Sequence, residues 1–148
     1  MILMDLPPQI QERVVCSIES AVKYNVPANI ILAVAELENG KPGFYRNNEN
    51  GSKDVGTMQF NTNYLADLSA YGITAQDVSA AGCYPYELAT WRIRNHIAKD
   101  EGDLWTKVAN YHSRTPKFNA IYRVKLKFVA NRWAGWLSKH FKTRVVND

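Results

Sequence analysis

The chain has 148 residues, the size of one ordinary domain and too short for two independent cores. Its composition (46% apolar, 11% aromatic, 22% charged) excludes a disordered chain, and no apolar run approaches the ~20 residues of a membrane-spanning helix. The net charge of +4 hides a split: residues 1–103 hold 8 Lys and Arg against 13 Asp and Glu, whereas 104–148 hold 10 against 1. The basic part is read either as a solvated helix face or as facing an acidic partner, whether nucleic acid, an anionic membrane or an anionic polymer.

In chain order, Met1 to Met4 are apolar, but Asp5 and Pro7-Pro8 end that stretch, and it has no basic flank. It is too short for a signal-peptide core, so the sequence reads as cytosolic or as a chain without its leader. Ile10, Val14, Ile18 and Ala21/Val22 predict a helix over 8–24, closed at Asn25. Pro27 opens a second helix over 28–38. Residues 39–56 carry loop and turn chemistry, with Asn50-Gly51 as a hairpin signal. A segment of that length without structure of its own is usually functional. Helices are then predicted over about 62–71, just after Thr74, near 85–99, over 103–112, and over about 117–141. The last carries Ile121, Val124, Phe128, Val129, Trp133, Trp136, Leu137 and Phe141 on its apolar positions. There are no repeats, linkers or low-complexity tracts.

The second helix carries the most informative residue. With Ile30 at zero and about 100° per residue, Glu38 falls near 80°, inside the apolar arc, while Glu36 falls near 240° and reads as a solvated charge. A carboxyl on an apolar face at a helix C-terminus is desolvated and meets an unfavourable dipole, and both raise its pKa towards that of a general acid. Equally, Glu38 could bend outwards and pair with Lys41. His96, His112 and His140 lie too far apart for a helical metal motif, and Tyr111-His112-Ser113 has no acid in the following helix to orient the imidazole. No phosphate loop, nucleophile elbow or dinucleotide fingerprint is present. Cys16 and Cys83 are too few for a zinc site and are open to two readings, one long-range bridge or two buried thiols.

An ordered set of motifs goes further. Glu38-Asn39-Gly40, then Arg46-Asn47 and Asn50-Gly51-Ser52-x-Asp54-x-Gly56-x-Met58-Gln59-x-Asn61, then Tyr111-His112-Ser113 and Tyr122-x-x-Lys125, resemble the soluble lytic transglycosylase family over about Cys16 to Trp133. The nearest look-alikes are its small members that accompany type III secretion, type IV pilus and conjugation systems. The resemblance implies an α+β, predominantly helical fold: a lysozyme-like single domain spanning 1–148, core about 8–141, with a small β-hairpin beside the cleft. It implies Glu38 as the one catalytic acid/base. Gly56, Met58, Gln59, Asn61, Tyr111, His112 and Tyr122 are the expected substrate-binding residues, and Cys16 and Cys83 form a disulfide suited to the periplasm. The implied substrate is the MurNAc–GlcNAc bond of peptidoglycan glycan strands, cut without water to leave a 1,6-anhydro end. No cofactor or metal is expected. The chain is expected to be a monomer that meets components of an envelope machine, not nucleic acid. Thr57, Phe60 and His112-Ser113-Arg114 depart from the usual Leu, Ile and Asn-Ala-Gly, which bears on subsite preference. Competing readings are a lysozyme-type hydrolase, a non-catalytic glycan-binding module, and a basic nucleic-acid-binding domain whose affinity would fall steeply with salt.

Overall fold

A computed structural model describes residues 2–147. Helix α1 (Pro8–Tyr24) starts on a proline and stops where Asn25 turns left-handed at φ 56°. Helix α2 (Ala28–Glu38) follows Pro27 and ends at left-handed Asn39. Every residue from Ala28 to Ala35 is buried, so α2 is the central helix of the domain, enclosed by α1 on one side and by the long helix α7 (Pro116–His140) on the other. The one-sided apolar arc read from the sequence is thereby corrected: α2 is buried all round until its last turn.

At the other end of α2, the buried Asn29 amide donates to the carbonyls of Ala130 and Val146 and accepts from the Val146 N–H. The Ala28 N–H donates to the Arg144 carbonyl. These bonds dock the extended tail after α7 on α2, so the ordered body runs past the expected limit at 141.

After α2 the chain forms a three-stranded antiparallel sheet, β1 (Tyr45–Asn47), β2 (Lys53–Val55) and β3 (Phe60–Asn61), in that spatial order. The register pairs Tyr45 with Val55 and Asn47 with Lys53, then Asp54 with Asn61. The hairpin is as expected; the third strand is an addition too short to leave an alternating pattern. Two glycines allow the close approaches around it. A Cβ on Gly56 (φ 73°) would lie 2.3 Å from the Val78 carbonyl oxygen, and one on Gly40 would lie 2.0 Å from the Gly56 carbonyl oxygen.

Helices α3 (Thr62–Leu68), α4 (Ala75–Ser79), α5 (Tyr84–Lys99) and α6 (Leu104–Ala109) complete the domain. Helix α6 stops three residues short of the expected 112, because Asp103 caps its start and the chain turns after Ala109. Asn119 holds that turn, its amide donating to Thr106, Asn110 and Ser113 oxygens. On α7 the core face is Tyr122, Leu126, Val129, Trp133 and Leu137. Ile121, Val124 and Phe128, expected among the core positions, point outwards. The 3.6-residue period places Val124 and Phe128 on the side opposite α2 and leaves Ile121 beside Tyr122, facing a hollow that Leu37 and Glu38 also line. Cys16 and Cys83 are joined in a disulfide that fastens α1 to the start of α5.

Candidate active site

Two adjoining hollows of about 210 and 520 Å³ share Glu38 and Arg46 in their linings. The first is walled by His112, Phe118, Tyr122 and Lys125 from the α6–α7 region, the second by Gly40, Phe44, Tyr45 and Gln59 from the sheet side. Together they form a cleft with Glu38 where the two walls meet.

Glu38 arrives there because it is the last residue of the fully enclosed helix α2: the core fixes the helix, and the left-handed turn at Asn39 takes the chain away before the carboxyl is covered. The Tyr122 hydroxyl donates to its Oε2 at 2.8 Å, and His112 Nδ1 lies 3.9 Å from the same oxygen. The His112 ring stacks on that of Tyr122, centroids 4.5 Å apart and nearly parallel. Lys41, the alternative partner, lies instead over the Phe44 ring. Burial raises the Glu38 carboxyl to about 7; the Tyr122 hydrogen bond opposes that rise, Asp54 reinforces it, and the Arg92 and Arg46 charges pull it down. Burial also lowers the His112 imidazole, with Arg46 and Lys125 acting the same way and Asp54 against. At neutral pH the cleft therefore offers a carboxylic acid that can give up its proton and, once ionised, take one back.

Glu36, two residues away, is not the solvated charge expected. It pairs with Arg132, and its Oε1 accepts from the Trp133 indole N–H at 3.0 Å, so it fastens α2 to α7. Its side faces away from the cleft, as its helical position implies.

The other expected site residues divide into two groups. His112, Tyr122 and Gln59 line the cleft, although Tyr122 spends its hydroxyl on Glu38 and the Gln59 Nε2 donates to the Gly56 carbonyl. Met58, Tyr111, Gly56 and Asn61 are not among the residues that line the two hollows, and each is engaged within the fold. Met58 is fully enclosed, and its carbonyl accepts the buried Tyr111 hydroxyl at 2.7 Å. Gly56 is a tight-turn position whose N–H donates to the Phe44 carbonyl. Asn61 caps α3 through Oδ1 and donates from Nδ2 to Ser52 and Asp54.

The sequence reading gave no role to Arg92. Its guanidinium lies between the rings of Tyr64 and Tyr111, 4.1 and 4.3 Å from their centroids, and donates to the Tyr111 carbonyl. Nothing local in α5 marks it, since its partners come from α3 and the turn after α6. His96 is a core residue, its Nδ1 2.6 Å from Asp100. Part of the basic C-terminal charge is spent within the fold: Arg132 holds Glu36, Arg123 donates to Thr106, and Arg144 holds Asn25.

Comparison with known proteins gives a consistent set of relatives. Protein IpgF of Shigella sonnei is 31% identical over 111 residues, covering 74% of this chain and 72% of its own. Invasion protein IagB of Salmonella typhimurium is 28% identical over 108 residues, 72% of this chain and 67% of its own. IpgF of Shigella flexneri is 29% identical over 111 residues, 74% and 72% of the two chains. No family model matches the chain.

Proposed function

Since the chain belongs to the family of Shigella IpgF and Salmonella IagB, we propose that it is a peptidoglycan lytic transglycosylase with a lysozyme-like fold, active in the periplasm as one domain over residues 1–148. The observation that carries the reading is Glu38: a nearly buried carboxyl at the meeting of two cleft walls, half-protonated near pH 7 and held by Tyr122.

In the proposed reaction the protonated Glu38 gives its proton to the glycosidic oxygen between MurNAc and GlcNAc as that C1–O bond breaks. The substrate's own N-acetyl group stabilises the positive charge that develops at C1. Glu38, now ionised, takes the proton of the muramic 6-hydroxyl as O6 bonds to C1, which leaves a 1,6-anhydro end and restores the acid. One carboxyl serves both steps, so the pair of carboxyls that most glycosidases use is not required. Gln59, His112 and Lys125 face the glycan from the two walls. The name of Salmonella IagB ties that relative to invasion; for this chain we read the same kind of task, opening the wall locally for an envelope-crossing machine.

Mass spectrometry of the products released from purified sacculi tests the reaction. Anhydro-muropeptides absent with Glu38→Gln support it. Reducing ends would assign a hydrolase instead, and no release at all would leave a glycan-binding module.

A further inference from the structure

Away from the cleft, and sharing no lining residue with it, a hollow of about 430 Å³ opens between α1, the turn after α3, and α5. Four aromatic rings frame it: Tyr24, Tyr71, Tyr84 and Trp91. Tyr71 is 78% exposed and Tyr84 40% exposed, so both rings are open to a ligand. The aliphatic floor is Leu68, Ile73 and Leu88. At the rim, Lys23 Nζ meets Glu87 Oε1 at 3.1 Å, and the same ammonium lies over the Tyr24 ring.

We propose that this hollow is a second saccharide-binding site, taking one or two pyranose rings of a glycan chain. A pyranose presents an apolar C–H face and an edge of hydroxyls; the hollow presents aromatic faces with polar tips and, beside them, a compensated ion pair that supplies a donor and an acceptor without net charge. That neutrality disfavours an anionic or cationic ligand. An extended peptide is disfavoured because the wall is built from the helices α1 and α5 and offers no strand edge to extend. The disulfide at Cys83 adjoins Tyr84 and ties the start of α5 to α1, which carries Tyr24. That the chain bound in the cell is peptidoglycan rests on the proposed function; the saccharide chemistry does not. A site of this kind would hold the protein on an insoluble polymer between cleavage events.

The test is co-sedimentation of the full chain with purified sacculi, alongside a titration of tryptophan emission with chitotetraose. Tyr71→Ala and Tyr84→Ala, both at exposed positions, should each weaken sacculus binding by about three- to tenfold, the loss expected for one aromatic contact. Both should leave cleavage of short soluble fragments unchanged. Chitotetraose should alter tryptophan emission in the wild type and in Glu38→Gln alike, and not in Trp91→Phe. If the proposed reaction is wrong, cleavage is absent but this emission change remains. Unaltered binding in both tyrosine variants, or a change in their self-association instead, overturns the inference.

Discussion

The two walls of the cleft use their polar side chains differently. On the helical wall, Glu38, His112 and Tyr122 turn towards the opening and towards one another. On the sheet wall, Asn48, Asn50, Ser52, Asp54 and Asn61 are bonded within the sheet, and Arg46 donates to Asp54. A two-residue strand such as β3 is marginal by itself, and side-chain bonds between neighbouring strands make up for the short ladder. The sheet wall is therefore a rigid boundary, while the chemistry sits on the helical one. Substitutions on the helical wall should change turnover, and those among the bonded residues behind the sheet wall (Asn48, Ser52, Asn61) should change stability.

The largest expected effect is that of Glu38→Gln, which removes the proton donor. Turnover should fall by at least about a hundredfold with the fold intact. In the wild type the acid form is needed first, so kcat/KM should decline as pH rises through about 7. Stability follows the same group with a definite sign. Below the ordinary value of 4.5 the carboxyl is neutral folded or unfolded and has no effect; between 4.5 and about 7 the unfolded chain ionises first, so stability falls as pH rises. Above 7 the cost is complete, on the order of 3 kcal/mol. Glu38→Gln should thus raise Tm at pH 8 and leave it unchanged at pH 4. A variant that loses activity and stability together at pH 8 would break the distinction between the walls.

The second effect belongs to neither wall. The Cys16–Cys83 bridge, 67 residues apart in sequence, contributes no lining residue to the cleft. Closing a loop of that length stabilises by about 4 kcal/mol in the chain-entropy picture, equivalent to roughly 10 °C in Tm for a chain of this size. Reduction should lower Tm by about that amount while turnover at low temperature stays constant. Calorimetry with and without reductant, paired with rates well below Tm, measures both halves.

Tyr122→Phe comes third. The Tyr122 hydrogen bond favours ionised Glu38 and opposes part of the rise that burial causes. Losing it should move the alkaline limb of the pH–rate profile upwards and lower kcat by about tenfold, since one charge-assisted hydrogen bond no longer orients the carboxyl. A rate loss without movement of the limb would mean that Tyr122 contributes packing alone.

Much of the helical wall was legible in the sequence, and little of the sheet wall. Pro27 and Asn39 bracket α2 with local signals, which is why its limits and the placing of Glu38 at its end hold. The apolar arc explains Glu38 only in part: no arc on α2 is free of burial, and Glu38 is distinctive because the chain leaves the core one residue later. For motif residues on the sheet side, a sequence shows which residue types occur together, not which atoms they spend on one another. Met58 and Tyr111 are 53 positions apart, and their hydrogen bond has no local signature. The same holds for Arg92 between Tyr64 and Tyr111, and for Glu36, whose indole partner lies 97 residues on. Ile121, Val124 and Phe128 fit a helical period as well as the true core face does, so periodicity alone could not tell which side of α7 meets α2.

The smallest expected effect tests the sheet wall directly. Asn61 caps α3 through Oδ1 and bridges Ser52 and Asp54 through Nδ2. Asn61→Ala removes a helix cap worth about 1 kcal/mol and two bonds that close the strand pair, so Tm should drop by several degrees. Asp54 would keep Arg46 as a partner, and Glu38 would keep Tyr122, so kcat at low temperature should change by less than about twofold. If Asn61 touched the glycan, the outcome would be reversed, with KM raised severalfold and Tm little altered. Measuring KM, kcat and Tm on the one variant therefore decides whether this motif position belongs to the boundary of the cleft or to its chemistry.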